Sequence, residues 1–308
     1  MSSRRVMLLG PPFLAVPTVG YGGTERVVAS LAAALPRLGW GVEVFASGHP
    51  ETPIREPVDL ACVDAGSERT HVAAALRALS AGRLSVDFIH DHTRTAALRA
   101  GLDGLRPMLT TVHNDVDEER RAVYRGVADN RLAFLSRAQA ARYDRTDACV
   151  IPNGMEMADW PLHEGPRGEH LVFLGRLSRE KGPHHAVDIA KNLGVPLIVA
   201  GGQDPAQQEF FSRELAPRLC GQDAVRWLGE VRGPDRWHLL ARAGALVAPL
   251  AWDEPFGLVL LEAMACPQPL GVGAGRCVGP RGPAPRGTGG RASGVLGGAD
   301  GPAVCQPV

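Results

Sequence analysis

Phe173-Leu174-Gly175-Arg176-Leu177-Ser178-Arg179-Glu180-Lys181-Gly182 joins an apolar run, Leu171–Leu174, to a stretch with helical spacing, Pro183–Leu193. A short run of Leu, Val and Phe that stops at glycine reads as a buried strand, and the spacing behind it reads as a helix. The rhythm then repeats. Residues 196–200 are a strand ending in Gly201-Gly202, 207–219 a helix, 225–228 a strand, 234–243 a helix, 246–248 a strand and Leu258–Ala265 a helix. Strands alternating with helices at this spacing predict parallel pairing through right-handed crossovers.

The same alternation runs upstream. Residues 6–9 are a strand closed by Gly10-Pro11-Pro12, and Val28, Leu31, Leu35 and Leu38 share one helical face that Gly39 ends. Further strands are predicted at 42–45, 58–63, 86–90, 108–112, 132–135 and 149–151, with a patterned stretch at 72–79 between them. Asn153-Gly154, Pro161 and Gly165-Pro166-Arg167-Gly168 make a turn-rich boundary. The expected fold class is α/β: two doubly wound Rossmann-like domains, 1–155 and 156–266. Their sheets' carboxyl ends should face a cleft, where ligands of such sheets bind.

The stretch from Pro267 to Val308 breaks the pattern. Of its 42 residues 12 are glycine and 7 are proline, and it holds no aromatic residue, lysine or glutamate. Such a segment buries too little apolar surface to offset its chain entropy. It reads as a shifted reading frame in GC-rich DNA, with a disordered tail as the alternative, and it leaves the second domain incomplete.

The 308 residues fit two domains. Charged residues are 21% and hydrophobic residues 45%, a soluble globular balance. Thirty-three basic side chains meet 33 acidic ones, which argues against a nucleic-acid binder working through a broad basic field. Lys181 and Lys191 are the only lysines. The six cysteines (Cys62, Cys149, Cys220, Cys266, Cys277 and Cys305) show no zinc spacing. Arg4-Arg5 before an apolar run imitates a signal peptide, but Gly10-Pro11-Pro12 interrupts it. No run approaches the ~20 apolar residues of a membrane span. The expected location is the cytoplasm.

Three loops carry chemistry. Gly20-Tyr21-Gly22-Gly23-Thr24-Glu25 lies between the first strand and first helix, where glycines admit a ligand to the backbone and a helix start attracts an anion. A glycine turn for close packing is the alternative. Arg176 and Lys181 follow the second domain's first strand, and two cations at a strand end suit a diphosphate. Solvated loop charges are the alternative. In Asp253–Ala263 the strand-to-helix turn Pro255-Phe256-Gly257 follows Glu254, and Glu262 comes eight residues after Glu254. Leu258, Val259, Leu261 and Met264 flank Glu262 with apolar positions, so its carboxylate needs partners, and hydroxyls are natural ones. An amphipathic helix with Glu262 exposed is the alternative.

Together these residues resemble the family 4 glycosyltransferases of the GT-B fold. The resemblance covers about residues 4–266. It rests on Gly22-Gly23-Thr24-Glu25-Arg26, Ile151-Pro152-Asn153-Gly154, Leu174-Gly175-Arg176-Leu177 with Glu180-Lys181-Gly182, and the Glu254-to-Glu262 spacing, in the family's order. It implies transfer of a sugar from a nucleotide-diphosphate donor, UDP- or GDP-linked, with retention and without metal or cofactor. The acceptor would be a small molecule, a glycan or a lipid-linked species. Carried over residue by residue, Arg176 and Lys181 would hold the diphosphate and Glu262 the ribose hydroxyls. Glu254, with the backbone of Phe256, Gly257 and Leu258, would hold the sugar hydroxyls. Gly22 and Gly23 would let the first domain's loop reach the phosphate and acceptor. His113, in Thr111-Val112-His113-Asn114 at a strand end, would be that domain's active-site histidine, with a hydrogen-bonded strand-end histidine as the alternative.

Rival readings are a nucleotide-sugar epimerase of the same fold and a non-catalytic or inactive nucleotide-binding fragment. Asp115-Val116-Asp117 could hold a metal, but Asp115 with Glu118 reads better as a helix cap. His90-Asp91-His92 could join His113 as a metal cluster, but reads better as polar lining. His184-His185 opens a helix and is expected to be solvated.

Overall fold

The computed structural model describes residues 4–18, 20–47, 65–93, 104–114, 118–128, 131–145, 148–156, 168–220, 224–266 and 270–272. The chain divides into two units, Met1–Glu156 and Met157–Val308. The strand expected at 58–63, the Asp115-Val116-Asp117 motif and residues 273–308 lie outside the described residues.

The first unit runs β1 (Arg5–Leu9), α1 (Gly23–Ala34), β2 (Gly41–Phe45), α2 (Ala65–Ser80), β3 (Phe88–Asp91), β4 (Met108–Val112), α3 (Glu118–Arg125), β5 (Leu132–Phe134), α4 (Arg137–Arg142) and β6 (Cys149–Val150). Its sheet has the order β2-β1-β3-β4-β5-β6, every pair parallel. Val6, Met7, Leu8 and Leu9 are all buried, as a central parallel strand covered on both faces requires. Met7, Leu9 and Ile89 pack with Val72 and Ala75 of α2, while Val6 and Leu8 pack with Val28 of α1. The chain leaves β1 for β2 on one side and returns to β3 on the other. The strand order therefore reverses between β1 and β3.

The first helix is shorter than its apolar spacing predicts. It ends at Ala34, and Leu35–Leu38 forms a 3₁₀ turn closed by Gly39. Pro36 has no N–H to continue the α ladder, and the tighter turn swings Leu38 out to 74% exposure.

The second unit runs β7 (Leu171–Leu174), α5 (Pro183–Leu193), β8 (Leu197–Ala200), α6 (Gln208–Phe210), α7 (Ala216–Leu219), β9 (Val225–Trp227), α8 (Pro234–Arg242), β10 (Ala245–Ala248), α9 (Leu258–Ala265) and β11 (Leu270–Val272). Its parallel sheet has the order β11-β10-β7-β8-β9, so the reversal falls between β7 and β10. The helix expected at 207–219 is present from 208 to 219 but is not α throughout. A π turn, Phe211–Leu215, separates α6 from α7. Pro217 cannot donate to the carbonyl four residues back, and the wider turn absorbs that loss.

The expected end of the second domain at Cys266 is too early. Leu270, Gly271 and Val272 pair with Leu246, Val247 and Ala248 as a further parallel strand. Three residues between Pro269 and Gly273 give too short an apolar run to register against the surrounding proline and glycine.

Candidate functional site

In an open parallel sheet the loops beyond the strand ends diverge where the strand order reverses, and that divergence makes room for a ligand. In the second unit those loops follow β7 and β10. The β7 loop is held flat against its neighbour: Gly175 N–H donates to Ala200 O at 3.0 Å and Leu177 N–H to Gly202 O at 3.0 Å. Arg179–Lys181 is a 3₁₀ turn, and Gly182 turns the chain into α5 with φ +73°. A side chain at Gly182 would collide with the Pro249 carbonyl, so the two loops pack backbone to backbone. Ala251 N–H donates to Glu180 O at 2.9 Å across the same seam.

The cations of the β7 loop are each held by acids. Lys181 Nζ pairs with Glu254 of the β10 loop, both side chains mostly buried. Trp252 frames this pair: its Nε1–H donates to Glu254 Oε2 at 3.1 Å, and the ammonium sits 4.7 Å from its ring centroid. Arg176 donates to Glu180 Oε1 at 2.7 Å and to Asp204 Oδ2 at 2.9 Å. Glu180 also accepts from Ser178 Oγ at 2.7 Å and Gln207 Nε2 at 2.8 Å, bonds that hold its carboxyl below the usual carboxylate range against the upward push of burial. The sequence-predicted Lys181 and Glu254 thus meet directly, and the pair spans the switch point.

Glu262 lies on α9, which starts at Gly257 with φ +80° and no side-chain cap. Phe256 is buried and Leu258 half-buried. Glu262 is 1% exposed, which removes the exposed-helix alternative. Its flanks differ from expectation: Met264 is 51% exposed, and Leu260 and Ala263 are the buried apolar neighbours. The partner is a cation the sequence reading missed. Arg236 NH2, from the first turn of α8, donates to Glu262 Oε2 at 2.7 Å in a buried pair. The signal was available in principle, since a buried carboxylate demands a countercharge, but spacing along the chain does not name it.

In the first unit Gly22 caps α1 with φ +146°, and Gly23 opens the helix. A Cβ on Gly22 would lie 2.8 Å from Thr18 Cγ2 and 2.9 Å from Glu25 Oε2. Glu25 is buried in the first turn, where its charge suits the helix's positive end.

His113 follows β4 and is half-buried. Its Nε2 lies 2.8 Å from His92 Nδ1, and the two rings are stacked at 5.1 Å. His90 Nε2 lies 2.8 Å from Thr111 Oγ1. Asp91 accepts from Thr93 N–H and Oγ1 and from Thr110 Oγ1. The ring nitrogens face one another and a hydroxyl, and among the described residues no group of three or more His, Cys, Asp or Glu could hold a metal. Gln139, unremarked in the sequence, clamps the loop bearing His113. Its Nε2 donates to Val112 O at 2.9 Å and Asn114 O at 3.1 Å, and its Oε1 accepts from Leu135 N–H at 2.8 Å.

The expectation of a solvated His184-His185 pair is corrected in part. His185 is exposed, but His184 is buried edge-on against Phe210 at 5.0 Å. Burial, then the neighbouring His185 and arginine charges, lowers the His184 pKa to about 4. Among the described residues no helix is long and apolar enough to cross a membrane.

Two family models match consecutive parts of the chain, residues 21–273 between them. The one described as Glycosyltransferase Family 4 matches residues 21–162, and the one described as Glycosyl transferases group 1 matches residues 159–273. A glycogen synthase of Mycobacterium tuberculosis is 35% identical over 175 residues, covering 51% of this chain and 41% of that protein. The chain thus spans under half of that relative's length. A phosphatidyl-myo-inositol mannosyltransferase of Propionibacterium freudenreichii is 29% identical over 86% of this chain and 76% of its own. Among solved structures, AviGT4, a glycosyltransferase involved in avilamycin A biosynthesis, superposes with a TM-score of 0.66 at 29% identity, covering 89% of this chain and 80% of that one. With two parallel α/β units of this topology, the chain belongs to the family 4 glycosyltransferases of the GT-B fold.

Proposed function

We propose that the chain transfers a sugar from a nucleotide-diphosphate donor, with retention at the anomeric carbon and without a metal ion or cofactor. The observation that carries this is the Lys181–Glu254 pair, which joins the two loops of the second unit's switch point. Lys181 and Arg176 are the cations there that a diphosphate would engage, by charge-assisted bonds worth about 1.5–3 kcal/mol each. Glu254, released from Lys181, would accept from sugar hydroxyls. Glu262, oriented by Arg236, would accept from the ribose hydroxyls. The unblocked N–H groups at Leu258 and Val259 would meet phosphate or sugar oxygens.

In a front-face displacement the bond from the anomeric carbon to the diphosphate oxygen breaks as the acceptor oxygen approaches the same face. Charge develops on the departing oxygen, so fixed cations aimed at it supply the main electrostatic stabilisation. His113, Gly22 and Gly23 belong to the first unit's part in donor and acceptor recognition. The donor is UDP- or GDP-linked, the acceptor a small molecule, glycan or lipid-linked species, and the setting the cytoplasm. Names of relatives that include a glycogen synthase and a phosphatidylinositol mannosyltransferase support hexosyl transfer.

The test is calorimetric titration with UDP, GDP and their glucose and mannose conjugates, followed by product analysis in EDTA. Saturable binding with sugar transferred and anomeric configuration kept is expected. Absence of any nucleotide binding, or isomerisation of the donor sugar instead of transfer, overturns the reading.

A further inference from the structure

His92 closes the ladder of the first unit's sheet. Its backbone N–H donates to Leu9 O at 2.8 Å, which fixes the residue immediately beyond β3. The ring is 1% exposed and lies between His90, 4.1 Å away, and His113. Its Nδ1 meets His113 Nε2, and its other nitrogen, Nε2, is buried without a hydrogen-bond partner among the described residues. His113 Nδ1 has no hydrogen-bond partner there either, but its ring is half-buried. Burial lowers His90 to about 4, and burial with the proximity of the other rings lowers His113 to about 3 and His92 well below the ordinary range, so all three are neutral.

Two neutral rings joined nitrogen to nitrogen share one proton between them. If His113 Nε2 carried it, His92 would hold its own proton on Nε2, leaving a buried N–H with no acceptor. Orphaned buried donors are rarer in folded proteins than under-used acceptors. If His92 Nδ1 carries it, the unpartnered Nε2 is only a bare lone pair. His113 then accepts through Nε2 and must hold its proton on Nδ1.

We propose that His92 locks His113 in the neutral Nδ1–H tautomer, so that His113 meets a substrate oxygen as a hydrogen-bond donor and not as a general base. The inference rests on the proposed transferase reading only for the identity of that oxygen, which would belong to the sugar donor or acceptor. His92 is a positioning residue: it acts through His113. A base at this position would need a free lone pair, and the one on Nε2 is already engaged by His92.

Two- and three-bond ¹⁵N–¹H correlation spectra of the full-length protein read the tautomer directly, with His113 assigned by its absence in His113→Gln. The expected pattern at pH 7 is a protonated Nδ1 and a bare Nε2. An Nε2–H ring or a charged ring overturns the inference. His92→Asn, whose amide N–H can stand where Nδ1 lies, should keep the pattern and keep affinity for UDP-glucose or GDP-mannose within about threefold of wild type. His92→Leu should give mixed tautomers and weaken that binding about tenfold, one hydrogen bond's worth. An unchanged His113 pattern in His92→Leu also overturns it. If His92→Leu does not fold, the wild-type spectrum still decides. The spectra need no ligand, so failure to bind any sugar nucleotide would sink the transferase reading alone, while binding with the wrong tautomer would sink this one alone.

Discussion

Arg236→Met tests whether the buried Arg236–Glu262 pair holds the second unit together and separates that role from ligand binding. Glu262 is 1% exposed and the Arg236 side chain 11%, with 2.7 Å between the charged atoms. Removing one partner of a buried pair leaves a desolvated charge, at a cost of about 3–5 kcal/mol. That is a large share of the roughly 5–15 kcal/mol that stabilises a domain, so the variant should sit near unfolding at room temperature. Replacing both partners, Arg236→Met with Glu262→Met, removes the desolvation penalty together with the attraction and should return stability to within about 1 kcal/mol of wild type. The assay is urea denaturation followed by tryptophan fluorescence, since four of the five tryptophans lie in the second unit. The double variant should fold and yet bind nucleotide poorly, because the carboxylate expected to accept from the ribose is gone. A cost under about 1 kcal/mol for Arg236→Met, or a double variant whose loss equals the sum of the two singles, would refute the reasoning.

Lys181→Met should weaken UDP or GDP binding about ten- to a hundredfold by titration, with a smaller stability loss than Arg236→Met because the pair is less buried and Trp252 still donates to Glu254. Gly182→Ala forces an L side chain to φ +73° and into the Pro249 carbonyl, so denaturation should show a loss of more than about 1 kcal/mol. The first unit should lose stability in acid. His90 and His113 bind protons more weakly when folded, at about 4 and about 3, than the 6.5 of an unfolded histidine. The unfolded chain therefore takes up protons first, and stability should fall steadily from about pH 6.5 towards pH 4. Melting curves at pH 7.5 and 5 should differ in that sense, and His90→Gln should flatten the difference.

The two sheets were largely legible because parallel strands buried on both faces read as continuous apolar runs. Met108–Val112, Leu171–Leu174 and the two helices Pro183–Leu193 and Leu258–Ala265 were found at their true bounds. Where proline intervenes, periodicity misled. Pro36 converts the end of α1 to a 3₁₀ turn, and Pro217 opens a π turn, although the apolar spacing continues through both. At the site, the chain order named Arg176, Lys181, Glu254 and Glu262. It could not name Arg236, Trp252, Asp204 or Gln139, whose partners lie 26, 71, 28 and 27 positions away, or two along the chain in the second contact of Trp252. The first three bond a residue that was named and Gln139 holds the backbone on either side of His113, and such pairings are settled by tertiary packing.

That set of helpers gives the candidate site a common logic. Each cation proposed to bind a diphosphate already has a carboxylate: Lys181 has Glu254, and Arg176 has Glu180 and Asp204. Unpaired cations crowded at one sheet edge would repel one another and cost stability, so internal acids neutralise them. A diphosphate must then compete with those acids, and the two cases differ. Arg176 has two acidic partners, with Ser178 and Gln207 fixing Glu180, so it can turn to a phosphate while its surroundings stay in place. Lys181 has one carboxylate on a different loop, and its release would free Glu254 for the proposed sugar contact. Donor binding would in that way couple phosphate recognition on the β7 loop to sugar recognition on the β10 loop through a single ion pair. Glu254→Gln therefore separates two roles. It removes the competitor for Lys181 and should raise affinity for the bare nucleotide diphosphate. It also weakens the acceptor for sugar hydroxyls and should lower the additional affinity that the sugar confers. Both changes in the same direction would show that the pair is only structural.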